Sequence, residues 1–217
     1  MRKINPRSFR HTIVVIVDGE DEKWYVEKLK EHYPCSALRT VGVKPEFPDK
    51  KQVDDLFACA RTKVEEQFET VILILDMDNI LKDSREWEKF KVYYSRYCDA
   101  QAGRLNPRQK AHHGWMMKLL LIVNAPCIEF WYMLHHLKTT KYYQDFLSLR
   151  ADLKKLPRLD DYEKSEAYYK KSPNIYQRLG GVQGIQTACR NAEPFNVQAA
   201  FQQSFSEMSK FFDYFKI

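Results

Sequence analysis

Glycine is scarce, with 7 in 217 residues. So few flexible positions argue against a modular chain joined by linkers. Cysteine is present only as Cys35, Cys59, Cys98, Cys127 and Cys189, odd in number, far apart and without a C-x-x-C pair. That pattern excludes a disulfide framework and a cysteine zinc site, and reduced thiols fit a cytoplasmic compartment. Long apolar runs are missing as well. Ile13–Val17 is far short of the roughly 20 residues of a membrane-spanning helix, so no membrane association is expected. The basic start Met1-Arg2-Lys3 is followed by no apolar stretch, which predicts no signal peptide. There is no G-x-S-x-G elbow, P-loop or G-x-G-x-x-G fingerprint, so a serine-hydrolase site and a glycine-cradled nucleotide site lack support. The pairs His112-His113 and His135-His136 place neighbours in different directions on a helix, so zinc binding is not expected.

What the chain has is an apolar and aromatic framework under a charged surface. Hydrophobic residues at 44% and charged residues at 29% allow both a core and a solvated exterior, and 14% aromatics argues against disorder. The length suits one α/β domain with a helical extension, or two small domains at most. The net charge is +6, yet acids are concentrated in short clusters. Acids that bind cations, on a basic surface that faces a polyanion, would account for both; an ordinary basic surface is the plainer reading.

Ile13–Val17 reads as a strand buried on both faces. Asp18-Gly19 follows, and Trp24, Tyr25, Lys28, Leu29 and His32 recur at helical spacing, so the order is strand, acidic turn, helix. A second strand is predicted over 37–43, with a loop at Pro45 and Pro48. Val53, Leu56, Phe57, Ala60 and Val64 predict an amphipathic helix over 52–68. Val71–Leu75 is the next buried strand. Asp83-Ser84 opens a helix carrying Trp87, Phe90, Tyr94 and Tyr97. Residues 101–110 read as an exposed polar loop. A fourth strand is predicted over 118–123, then a turn at Asn124-Ala125-Pro126 and an apolar helix over 128–137. Four alternations of strand and helix imply a parallel sheet with helices on both faces. After Lys138 strand-like runs cease and short helical patterns continue. The reading is therefore an α/β domain over 1–138 and a helical extension over 139–217 packed on it.

Function in parallel α/β sheets gathers where strands end. Asp18 ends the first strand and is followed by Gly19, which allows close backbone approach to a ligand. Asp76 and Asp78 end the third, and in extended backbone residues two apart share a side. Glu20, Asp21 and Glu22 sit in a first helical turn, where the dipole alone favours acids. Glu129 opens an otherwise apolar helix, and a carboxylate buried there needs a partner, a metal or solvent. Oxygen ligands of this kind suit Mg²⁺ or Mn²⁺.

Three segments carry a family resemblance. The run from Ile16 through Asp18-Gly19-Glu20-Asp21-Glu22-Lys23-Trp24-Tyr25 resembles the opening of RloB-like proteins. Leu73-Ile74-Leu75-Asp76-Met77-Asp78 resembles their D-x-D segment, and Asn124-Ala125-Pro126-Cys127-Ile128-Glu129-Phe130-Trp131 their most specific one. The resemblance implies a TOPRIM domain, the metal-binding α/β module of topoisomerases, primases and OLD-type nucleases, in a bacterial antiviral defence setting. It places the first TOPRIM acid on Asp18 and the paired aspartates on Asp76 and Asp78, with Glu20, Glu22 and Glu129 matching further family acids. Asp18 departs from the family glutamate by one methylene.

The expectation is a TOPRIM-like sheet and a Mg²⁺-dependent nuclease acting on RNA or DNA. Asp18, Glu20, Glu22, Asp76 and Asp78 are the candidate metal ligands, and Asp18, Glu22 and Glu129 the candidate catalytic acids. Arg104, Arg108, Lys110, Lys154, Lys155, Lys170 and Lys171 are candidate contacts to the nucleic-acid backbone. The alternative is a degenerate nucleic-acid-binding or regulatory subunit working with an ATPase partner.

Overall fold

The computed structural model describes residues 13–39, 42–43 and 52–215. The chain runs β1 Ile13–Val17, α1 Glu20–His32, α2 Ser36–Arg39, β2 Gly42–Val43, α3 Val53–Glu65, β3 Thr70–Asp76, α4 Asp78–Lys82, α5 Ser84–Gln101 and α6 Pro107–His113. A 3-10 turn at Gly114–Lys118 leads into β4 Leu119–Ala125 and α7 Glu129–Leu134. Then follow α8 Phe146–Leu153, α9 Glu166–Lys170, α10 Ile175–Arg178, α11 Gly181–Asn191, β5 Phe205–Ser206 and α12 Ser209–Tyr214. The strands form one sheet in the order β2-β1-β3-β4-β5, parallel except for β5. This is the expected α/β, TOPRIM-like arrangement of a mostly parallel sheet flanked by helices.

Both faces of the sheet are covered, which is why β1, β3 and β4 read as continuous apolar runs rather than alternating ones. Val15, Val17, Ile72, Ile74 and Ile122 face Tyr25, Val26 and Leu29 of α1 and the wholly buried α7. Val14, Ile16, Leu73, Leu75 and Val123 face Leu56, Phe57 and Ala60 of α3 and Trp87 and Phe90 of α5. The chain beyond 138 adds Leu149, Leu153, Tyr162, Tyr169, Phe211 and Phe212 to the first of these layers. Among the described residues no helix is long and apolar enough to cross a membrane.

Three local expectations change. Residues 36–39, within and beside the predicted second strand, are helical, and only Gly42–Val43 pair with β1. Ala37, Leu38 and Arg39 are strong helix formers, and that propensity prevails. The loop at Pro45 and Pro48 lies outside the described residues. The segment read as a loop over 101–110 instead contains the start of α6. Asn106 accepts from the Gln109 amide and Gln109 reaches back to the Asn106 amide, with Pro107 at the first helical position. The C-terminal segment also contains a strand. Phe205 pairs with Ala125 and Ser206 with Asn124, a stretch too short for a periodic signal.

Candidate functional site

β1 and β3 are parallel neighbours in register Val17↔Ile74. Asp18 and Asp76 therefore leave the sheet at the same carboxyl-terminal edge. Asp76 is fixed there: its Oδ1 accepts from Asn124 Nδ2 at 3.3 Å and its Oδ2 from the Ile128 amide at 3.2 Å. Glu22, on the first turn of α1, is 3% exposed. Its position follows from helical spacing, since it lies three and four residues before the buried Tyr25 and Val26.

The Glu22 and Asp76 carboxyl groups lie close enough that each shifts the other's proton affinity, through the hydrogen bond that one shared proton would make. Burial pushes the Glu22 pKa up to about 7, with the charges of Asp18, Asp21 and Glu129 adding to it and the Asp76 hydrogen bond opposing. Asp76 is raised well above the usual carboxylate range by burial and then by Glu22. Two buried acids in contact must share a proton or a cation. The Glu22 Oε2 atom is buried and has no hydrogen-bond partner among the described residues. Gly19 makes room for it: a Cβ at Gly19 would fall 2.7 Å from that oxygen.

Beside this pair lies a compensated cluster. Glu129 is fully buried, and its Oε1 accepts from the Tyr162 hydroxyl at 2.8 Å and from Lys164 Nζ at 2.7 Å. Lys164 also reaches Asp21 Oδ2 at 3.1 Å. Burial alone would lower the pKa of the Lys164 ammonium, but Glu129 and Asp21 together raise it above the ordinary value. Asp21 is raised by burial, with Lys164 opposing. The hydroxyls of Tyr162, Tyr169 and Tyr132 continue the network, at 2.7 Å and 3.2 Å.

The structure thus brings Asp18, Glu22 and Asp76 into one electrostatic group, with Glu129 alongside. Asp78 and Glu20 stand differently. The extended-strand argument for Asp76 and Asp78 fails because β3 ends at Asp76 and Met77 turns into the helical region, at φ −96° and ψ −8°. Asp78 becomes the first residue of α4. Its carboxyl is raised by burial, with the Asn79 amide, Lys82 and Lys164 opposing. Glu20 is exposed and pairs with Lys23 at 3.5 Å. Asp21, Lys164 and Tyr162 are the site residues that sequence reasoning missed. The helix dipole alone accounts for an acid at Asp21, and nothing local marks Lys164. Several candidate basic contacts are spent on neighbours: Arg104 on Asp99 at 3.0 Å, Lys155 on Asp152 at 2.8 Å, and Lys170 on Glu166 at 2.7 Å and Glu27 at 3.2 Å. Arg108 and Lys110 are exposed on α6, which leads to the amino end of β4, across the sheet from the acids.

Among the described residues no group of three or more His, Cys, Asp or Glu side chains forms a ready metal cage. The donor chemistry still fits one kind of ion. Mg²⁺ is held through one or two carboxylates plus water and substrate phosphate, not by an all-protein cage. The Glu22–Asp76 pair, with an oxygen of Glu22 left over and Asp18 nearby, matches that requirement.

Fold and site define an α/β protein with an acid-lined carboxyl edge of a parallel sheet. The family model described as RloB-like protein matches residues 13–213, most of the chain, and the chain belongs to that family. No curated protein and no solved structure matches it.

Proposed function

We propose that this chain is a divalent-metal-dependent nuclease of the TOPRIM type, acting on phosphodiester bonds of RNA or DNA in the bacterial cytoplasm, in antiviral defence. The buried carboxyl contact between Glu22, on the first turn of α1, and Asp76, at the end of β3, carries the reading. It concentrates negative charge that a metal ion would neutralise in place of the shared proton. The defence setting rests on the family resemblance alone.

A bound Mg²⁺ or Mn²⁺ would supply charge neutralisation at the phosphate and a more acidic water. Glu22 and Asp76 would hold it. Asp18, half-buried at the rim of the group, would accept a proton from water or add a ligand. Lys164, held by Glu129 and Asp21, fixes α1 and α7 to the segment after 160 and keeps one positive charge beside the acids.

A second reading has specific support: a binding or regulatory subunit that does not turn over, working with an ATPase partner. Asp18 has a shorter reach than the family glutamate, and no three-acid cage is preformed among the described residues. The test is incubation of the purified protein with labelled tRNA, single-stranded DNA and plasmid, in Mg²⁺, Mn²⁺ or EDTA. Cleavage that needs the ion and is lost in Asp76→Asn supports the nuclease. Metal-independent cleavage, or none beside clear binding, favours the second reading.

A further inference from the structure

At the far end of α7 from Glu129 the chain builds a second polar cavity. Six residue steps, from Glu129 to His135, separate the two, roughly 9 Å along the axis. This cavity has a volume of about 410 Å³, within the size range of small-ligand sites. His135, His136, Arg158 and Arg178 are its ionisable lining residues, so it is lined by no carboxylate. It opens on the start of α11, an 11-residue helix whose N-cap, Gly180, gives no side-chain cap. The first amides of that helix have no partner one turn back, and they carry the positive end of the helix dipole. Gly180 and Gly181 take φ of +83° and +58°, the left-handed region that glycine enters without strain.

An independent observation points to a ligand. His135 is 6% exposed, and its Nδ1 lies 2.9 Å from the Leu179 carbonyl oxygen. A carbonyl can only accept, so Nδ1 carries the proton and Nε2 is a bare acceptor. That Nε2 is buried without a hydrogen-bond partner, as is Nε2 of His136. Burial pushes the His135 pKa down to about 3, so the ring is neutral. Gly184 permits this packing, because a Cβ there would fall 1.7 Å from the Leu179 oxygen and 2.9 Å from His135 Nδ1. Arg178 is spent, forked onto Asp161 at 2.7 Å and 3.1 Å. Arg158 is exposed at the rim, and its charge reaches His136.

A ligand for this cavity must bring anionic oxygens to the helix start and Arg158, and a hydrogen-bond donor to His135. A carboxylate, a sulfate or a phosphodiester has no O–H near neutral pH. A phosphomonoester has both features, because its second pKa is about 6. We propose that the cavity between the end of α7 and the start of α11 binds a terminal phosphate group. A free phosphate ion, a nucleotide and the 5′ end of a nucleic-acid strand all carry that chemistry.

The experiment is calorimetric titration of the full chain in EDTA, which keeps the result independent of the acidic site. The probes are inorganic phosphate, sulfate, adenosine 5′-monophosphate, and one oligonucleotide with and without a 5′-phosphate. Phosphate should bind at least about tenfold more tightly than sulfate, the difference expected of one buried hydrogen bond. Preference for the nucleotide or the phosphorylated strand identifies the source. Arg158→Ala should weaken phosphate and sulfate alike, by about tenfold. His135→Asn keeps a donor near Leu179 but lacks the second ring nitrogen, and should abolish the preference for phosphate over sulfate. The proposal is overturned if no phosphate probe binds at millimolar concentration, if sulfate equals phosphate on the parent, or if Arg158→Ala binds as the parent does. Should His135→Asn fail to fold, the phosphate–sulfate comparison and Arg158→Ala still decide.

Discussion

Replacing Glu22 by Gln should change how stability depends on pH. The Glu22 pKa rises from 4.5 to about 7 on folding, a difference of about 2.5 units. At about 1.36 kcal/mol per unit, that amounts to at most about 3–4 kcal/mol. The sign follows from proton binding. The native state holds this proton more tightly than the unfolded chain does. Below the unfolded value both states are protonated and nothing is lost. As pH rises through the folded value the native carboxyl must ionise beside Asp76, and stability falls by that amount. Glu22→Gln keeps the size and a hydrogen bond to Asp76 but cannot ionise. Urea unfolding followed by tryptophan fluorescence at a series of pH values between about 5 and 8 measures both curves. Parent and variant should lie close together at the acid end, with the variant increasingly more stable towards the alkaline end. Mg²⁺ should stabilise the parent at the alkaline end far more than the variant. A parent curve parallel to that of Glu22→Gln would refute the shared-proton argument, because the buried charge would then cost nothing.

Gly19→Ala forces a methyl to 2.7 Å from the Glu22 oxygen and should destabilise by about 1–3 kcal/mol; combining it with Glu22→Ala in a double-mutant cycle should recover most of that loss. Lys164→Ala leaves Glu129 and Asp21 without their cation and should cost about 3 kcal/mol, the low end for a broken buried pair because Lys164 is partly exposed; adding Glu129→Gln should restore part of it in chemical denaturation. For cleavage, Asp18→Asn should remove activity at saturating Mg²⁺, while Asp18→Glu should keep or raise it. Rates of Asp18→Asn equal to the parent would move the catalytic role to Glu22.

The sequence by itself determined the core strands of the sheet and the edge that carries the acids. Strands covered on both faces must be continuously apolar, so Ile13–Val17, Val71–Leu75 and Leu119–Val123 declared themselves, and Asp18 and Asp76 were placed at the ends of the first two without further information. The burial of Glu22 was not legible in the same way, because a first-turn acid is explained by the helix dipole alone. Tertiary structure alone decided which acids meet. Neither the Glu22–Asp76 contact nor the capture of Glu129 and Asp21 by Lys164 has a local signature, because each joins segments distant in the chain. The helical turn at Met77 separated Asp76 from Asp78, although their spacing suggested a shared side. A carboxylate's charge state is set by the water it loses and the charges it gains on folding, and those neighbours are supplied by non-local packing rather than by the residues adjoining it in sequence.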